Sequence, residues 1–138
     1  MTNAEIIERA AALLRPHQTD QGRLMGDVGA VVISVSGKVY GGVCVDTASW
    51  GLCAERSAMA AMITGGEYRL AKVVAVWRDP GNGALTVLPP CGVCREFMRQ
   101  VDQANLAAEI VLGRAQSVSL ADLLPAHEWP APLATVSR

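Results

Sequence analysis

In the stretch Pro89-Pro90-Cys91-Gly92-Val93-Cys94-Arg95, two cysteines three residues apart follow a proline pair. Proline is tolerated at a helix entry, where its missing N–H has no intrahelical partner, so the segment predicts a helix opening at Cys91. Residues three apart on a helix share a face, which brings both sulfurs together. The start of a helix is electropositive and favours thiolate over thiol. Upstream, Leu52-Cys53-Ala54-Glu55-Arg56 opens a second expected helix in the same way. Three sulfurs, a carboxylate that need not be a ligand and an open fourth position make up a catalytic rather than a structural zinc site. Two helix entries can meet at one end of a sheet, where metal sites commonly lie in α/β proteins.

A chain of 138 residues is one domain's worth, so residues 1–138 are expected to form a single domain with an extended tail from about residue 125. Hydrophobic residues make up 51% and charged residues 18%, a globular balance. The net charge of −1 and the lack of a basic run argue against a nucleic-acid partner, which needs clustered Lys and Arg. No apolar run reaches the length of a membrane span. The N-terminus Met1-Thr2-Asn3-Ala4-Glu5 lacks the basic start of a signal peptide, and four cysteines in that setting read as free thiols or ligands in a reducing cytoplasm. The high apolar fraction points to surface covered by other subunits.

Along the chain, Thr2-Asn3-Ala4-Glu5 has the spacing of a capping box, and the apolar residues that follow predict a helix over 3–15, stopped by Pro16. Residues 17–26 read as a loop. Val28 to Val35 and Val39 to Val45 read as a hairpin through Ser36-Gly37. A helix is expected over 53–64, a third strand over 73–77, an extended piece over 85–88 and a helix from Cys91 to about Val101. Strands over 109–112 and 117–120 follow, then a helical turn and a proline-containing tail. A hairpin followed by alternating helix and strand implies a mixed sheet with helices on both faces.

Cys53-Ala54-Glu55-Arg56 followed by Pro90-Cys91-Gly92-Val93-Cys94-Arg95 resembles the signature of the zinc-dependent cytidine deaminase superfamily, its small three-cysteine members in particular. Val28-Gly29-Ala30-Val31 and Gly37-Lys38-Val39-Tyr40-Gly41-Gly42 are similar to the hairpin of these enzymes, and Leu123-Leu124-Pro125 with Trp129 to their C-terminal segment. The resemblance implies a three-layer α/β/α sandwich with a five-stranded mixed sheet and a homotetramer. It implies one Zn²⁺ per subunit held by Cys53, Cys91 and Cys94, with Glu55 moving protons during hydrolytic loss of ammonia. The expected substrate is a small nucleoside or base, most readily cytidine or deoxycytidine.

Three thiolates leave a divalent metal with a net negative charge, which Arg56 and Arg95 are placed to offset; both could equally be solvated helix residues. The family's Asn-x-Glu at the end of the second strand, which binds ribose, reads Cys44-Val45-Asp46 here. A thiol cannot replace the two-way hydrogen bonding of an amide. The short segment from Cys44 to Cys53 is similar in length to that of blasticidin S deaminases, so an aminopyrimidine nucleoside of that kind or a free base is the alternative substrate. Candidate substrate contacts are Cys44, Asp46, Trp50 and Ala54. Cys44 also reads as a small buried hydrophobe, Asp46 as a strand-end turn residue, and Trp50 as a packing residue. Two other readings are open. A bare Cys-x-x-Cys suits thiol–disulfide chemistry, and a nonenzymatic zinc-stabilised binding protein would close its metal shell with a fourth ligand such as Cys44. His17 and His127 read as surface residues and Trp129 as a packing residue of the tail.

Overall fold

The computed structural model describes residues 1–136. In chain order the elements are α1 (Asn3–Ala11), a two-residue ribbon of β1 (His17–Gln18) and β2 (Leu24–Met25), the hairpin β3 (Val28–Ser34) and β4 (Val39–Val43), and α2 (Ala54–Thr64). They continue as β5 (Leu70–Arg78), β6 (Leu85–Leu88), α3 (Gly92–Val101), β7 (Glu109–Gly113) and β8 (Gln116–Ser119). Short 3₁₀ turns at Gln103–Ala107 and Leu120–Leu123 follow α3 and β8.

The strands run in the order β4-β3-β5-β7-β8, with β6 also on β5. β7 lies parallel to β5 at Lys72 and Val73, whereas β6 lies antiparallel to it from Ala75 to Arg78. Six strands therefore fill five positions, and the extended piece expected over 85–88 shares an edge of β5 with β7. The α/β/α sandwich and mixed sheet agree with expectation. Val73 and Ala75 point to one face of β5, and Val74 and Val76 to the other, by the period-two alternation of a strand. Ile6, Ile7 and Ala10 of α1 pack on Val31, Val74, Val76 and Val111. Ala58, Met59 and Met62 of α2 and Met98 of α3 pack on Ala30, Val32, Val73, Ala75 and Ile110 on the opposite face. A strand covered on both sides reads as a continuous apolar run, as residues 73–77 do.

The Thr2–Glu5 capping box forms as expected, but α1 ends at Ala11, short of Pro16. Leu13 and Leu14 still pack on the core from the turn beyond it. The chain leaves the helix early to reach a pairing of Arg15 with Gly26 (N···O 2.9 Å), which begins the ribbon where a loop was expected. Glycine is required at one place that bears on the site. A Cβ on Gly42 would lie 2.4 Å from the Ala58 nitrogen, so only a bare backbone lets α2 seat against β4.

Asn105, buried completely in the turn after α3, was not visible as a structural residue in the sequence. Its Oδ1 accepts from the Leu70 N–H at 2.7 Å, and its Nδ2 donates to the Met98 carbonyl at 2.9 Å and the Tyr68 carbonyl at 3.1 Å. The side chain moors the end of α3 to the start of β5. Among the described residues, no helix is long and apolar enough to cross a membrane.

Candidate active site

Cys53 is the N-cap of α2 and Cys91 the N-cap of α3, so the two helix mouths meet with Cys94 one turn into α3. What brings Cys53 there is a two-bond bridge: Val45 and Leu52 exchange N–H···O bonds of 2.8 Å each. That bridge closes the short segment between Cys44 and Cys53 and delivers the chain directly into α2. Cys91 is aligned by its own helix, its sulfur accepting from the Cys94 N–H at 3.4 Å.

The Cys53 and Cys91 sulfurs are 3.5 Å apart and those of Cys91 and Cys94 3.4 Å apart. All three lie within 4.8 Å of one another. Ligands at about 2.3 Å around a tetrahedral zinc stand roughly 3.8 Å from each other, so the triangle matches that metal in size and its soft donors match it in kind. Among the described residues, these three cysteines are the group that could hold a metal ion. Partial burial resists ionisation of Cys91, but the Cys94 N–H and the neighbouring thiols outweigh it and lower its pKa. Burial and then the Glu55 carboxylate raise that of Cys94.

Glu55 is 5% exposed in the first turn of α2, with Oε2 3.8 Å from the Cys94 sulfur. Burial raises its pKa against the opposing pull of its backbone N–H, the Cys94 thiol and Arg56. Arg56 turns back over the cluster, its Nη2 donating to the Cys53 sulfur at 3.7 Å and to the Gly51 carbonyl at 3.3 Å. Arg95, expected beside it, is engaged elsewhere. Its Nε donates to the Pro90 carbonyl at 2.7 Å and its Nη1 to the Leu123 carbonyl at 3.0 Å. It ties the residue before Cys91 to the C-terminal turn, because the α3 register aims its side chain along the β6–α3 connection instead of at the sulfurs.

A small chamber of about 160 Å³ adjoins the sulfurs, walled by Val28, Cys44, Ala54, Glu55, Leu88 and Pro89 with Cys53 and Cys91. A wider chamber of about 460 Å³ shares Cys44 and Cys53 with it and is lined by Leu24, Asp27 and Asp46 among others. Cys44 therefore stands between the two. Its thiol donates to Asp27 Oδ1 at 2.9 Å, and it is not part of the three-sulfur group of Cys53, Cys91 and Cys94. Partial burial and this bond raise the Cys44 pKa. Asp46 lies on the rim, 3.9 Å from Arg23. Trp50 lines neither chamber and does not pack in the core; it is 95% exposed at a φ of 65°. Trp129 is also exposed. Asp27 was not singled out from the sequence. It lies 17 residues from Cys44, and only the backbone pairs Gly26 N–Cys44 O and Cys44 N–Val28 O, both 3.0 Å, set the two opposite each other.

Thiols suited to a metal and a buried acid beside them, gathered at one end of an α/β/α sheet around a chamber, define a metal-dependent hydrolase. The model of the cytidine and deoxycytidylate deaminase zinc-binding region matches residues 2–109. A cytidine deaminase of Halalkalibacterium halodurans is 32% identical over 102 residues, covering 71% of this chain and 74% of that protein. The crystal structure of cytidine deaminase from Burkholderia pseudomallei superposes with a TM-score of 0.70 at 29% identity, covering 91% of this chain and 98% of that one. The cytidine deaminase from Bacillus anthracis, at 22% identity, has a TM-score of 0.71 over 91% of this chain and 88% of that one and supports the fold alone. The chain belongs to the cytidine and deoxycytidylate deaminase family: it is a hydrolytic deaminase of the cytidine deaminase type, and its metal is zinc.

Proposed function

We propose that the chain converts cytidine or deoxycytidine to uridine or deoxyuridine with release of ammonia. In this reading Cys53, Cys91 and Cys94 hold one zinc ion, and Glu55 is the proton carrier. The observation that carries it is the buried Glu55 carboxyl group, 3.8 Å from Cys94 Sγ and in the wall of the chamber that Cys53 and Cys91 also line.

When bound, zinc supplies the Lewis acidity that makes water a nucleophile near neutral pH. Glu55 Oε2 takes a proton from the water as its oxygen bonds to the amine-bearing carbon. The same carboxyl group returns a proton to the departing nitrogen as the carbon–nitrogen bond breaks. Burial raises its pKa, which favours the protonated form that returns the proton to nitrogen. Arg56 offsets the charge of three thiolates, and Arg95 positions the loop ahead of Cys91. The apolar walls Val28, Leu88 and Pro89 suit the faces of a flat heterocycle.

A free aminated base is the second reading. It is favoured by the small inner chamber and by a thiol at Cys44 where the family carries a ribose-binding amide. The resemblance implies a homotetramer, and exposed Trp50, Val93 and Trp129 are apolar surface that association between copies would cover.

The test is ammonia release by the zinc-loaded chain from cytidine, deoxycytidine, cytosine, blasticidin S and aminated purines, alongside Glu55→Gln. The variant retains zinc and loses turnover by about 10²–10⁴-fold. Unchanged turnover removes Glu55 from the chemistry, and release from cytosine alone transfers the assignment to a free base.

A further inference from the structure

The wall between the two chambers is built differently from an amide-lined sugar site. Cys44 occupies the strand position from which an amide would both donate and accept, and its thiol hydrogen is committed to Asp27 Oδ1 at 2.9 Å. That bond orients a carboxylate supplied by another element, the turn between β2 and β3, into the lining of the outer chamber. Asp46 lies on the same rim, but it has Arg23 at 3.9 Å as a counter-charge. Asp27 forms no ion pair among the described residues.

An ionised carboxylate accepts hydrogen bonds and cannot donate them. The polar group at this level of the outer chamber is therefore an acceptor with net negative charge. It fits hydroxyl or ammonium donors and repels a phosphate, since like charges at close range oppose binding. The inner chamber, about 160 Å³, and the outer one, about 460 Å³, share Cys44 and Cys53 in their linings, so a ring held in the inner chamber can carry a substituent into the outer one beside Cys44 and Asp27.

We infer that Asp27, held in place by the Cys44 thiol, is a specificity-determining residue that receives a hydrogen-bond-donating substituent of the substrate. The inference rests on the nucleoside reading above and deepens it. The preference for hydroxyl-bearing nucleosides comes from the turn before β3 as well as from the end of β4, and 5′-phosphorylated substrates are excluded.

The experiment compares cytidine, 2′,3′-dideoxycytidine and cytidine 5′-monophosphate as substrates of the zinc-loaded full chain and of its Asp27→Ala, Asp27→Asn and Cys44→Ala variants. Calorimetric titration with uridine and 2′,3′-dideoxyuridine adds a readout that needs no turnover. A hydrogen bond to a charged acceptor corresponds to a preference of about 10- to 100-fold. Asp27→Ala therefore cuts the cytidine to dideoxycytidine ratio by 10-fold or more, mainly through KM. The isosteric Asp27→Asn, which preserves the shape of the turn, cuts it less. Cys44→Ala also lowers it, because the carboxylate loses its orienting partner. Variants that lower both nucleosides equally, or leave the ratio unchanged, overturn the inference while ammonia release keeps the deaminase reading. If no ammonia is released but uridine binding still depends on Asp27, the inference stands and the cytidine assignment falls. Binding of neither nucleoside, or preference for the 5′-monophosphate, overturns the inference outright.

Discussion

Replacing Asn105 by alanine tests how the metal-bearing helix is anchored. The side chain makes three hydrogen bonds. Those to the Leu70 N–H and the Met98 carbonyl are buried, whereas the one to Tyr68 is only partly so. The alanine variant strands the first two groups away from water, and water replaces the third. Each stranded buried group costs about 1–3 kcal/mol, so the two together cost about 2–6 kcal/mol, centred on about 4 kcal/mol. Against a total stability of roughly 5–15 kcal/mol, that is a large fraction. With an m-value of about 2 kcal/mol per molar urea, the unfolding midpoint falls by roughly 2 M. The melting temperature falls by roughly 10 °C. Both are measured at one fixed free zinc concentration, because ligand binding to the folded state adds its own stabilisation. Asn105→Asp keeps an acceptor for Leu70 but faces a carboxylate to the Met98 carbonyl, and it is no better than alanine. Because Met98 is in the last turns of α3, the alanine variant also releases zinc faster to a chelator. A loss below about 1 kcal/mol would show that the three bonds do not hold α3 to the sheet, and the reasoning would fail.

Two further outcomes follow from the charges around the site and the hairpin. Arg56→Gln removes the guanidinium that contacts the Cys53 sulfur and lowers zinc affinity by about 10- to 100-fold in chelator competition. Affinity unchanged within twofold would mean that the helix ends alone balance the thiolates. The Glu67 carboxylate is held below its ordinary value of 4.5 by hydrogen bonds from Ser36 and then Tyr40. A depressed carboxylate pKa contributes stability that is present above 4.5 and is lost as pH falls through the lower folded value. Acid titration of the unfolding midpoint therefore drops less steeply below pH 4.5 for Glu67→Gln than for the unaltered chain.

Helix and strand periodicity made most of the layer order legible. Ile6, Ile7 and Ala10 mark one covered face, and the uninterrupted run of residues 73–77 marks a strand buried on both sides. The proline pair before Cys91 and the small residues of α2 located the two helix mouths. Periodicity does not report which strand shares an edge with which, so β6 was seen only as an extended piece. The early end of α1 and the β1–β2 ribbon arise from one long-range pairing, Arg15 with Gly26, that no local pattern encodes. Arg95 illustrates the same limit at the site. Its position beside a ligand is a matter of sequence, but its direction depends on α3's rotation against Leu123, 28 residues away.

The identity of the chemistry is local information. Thiol and carboxyl groups at fixed spacings, each at the start of a helix, specify a three-sulfur metal site with an acid beside it, because helical geometry and the field at helix ends act within a turn or two. What the outer chamber recognises is not local. It depends on β3 lying antiparallel to β4, which sets Asp27 against Cys44, and on the Val45–Leu52 bridge, which folds the rim back to the thiols. Contacts between residues far apart in the chain are settled by how strands and helices pack, and packing is a property of the whole domain.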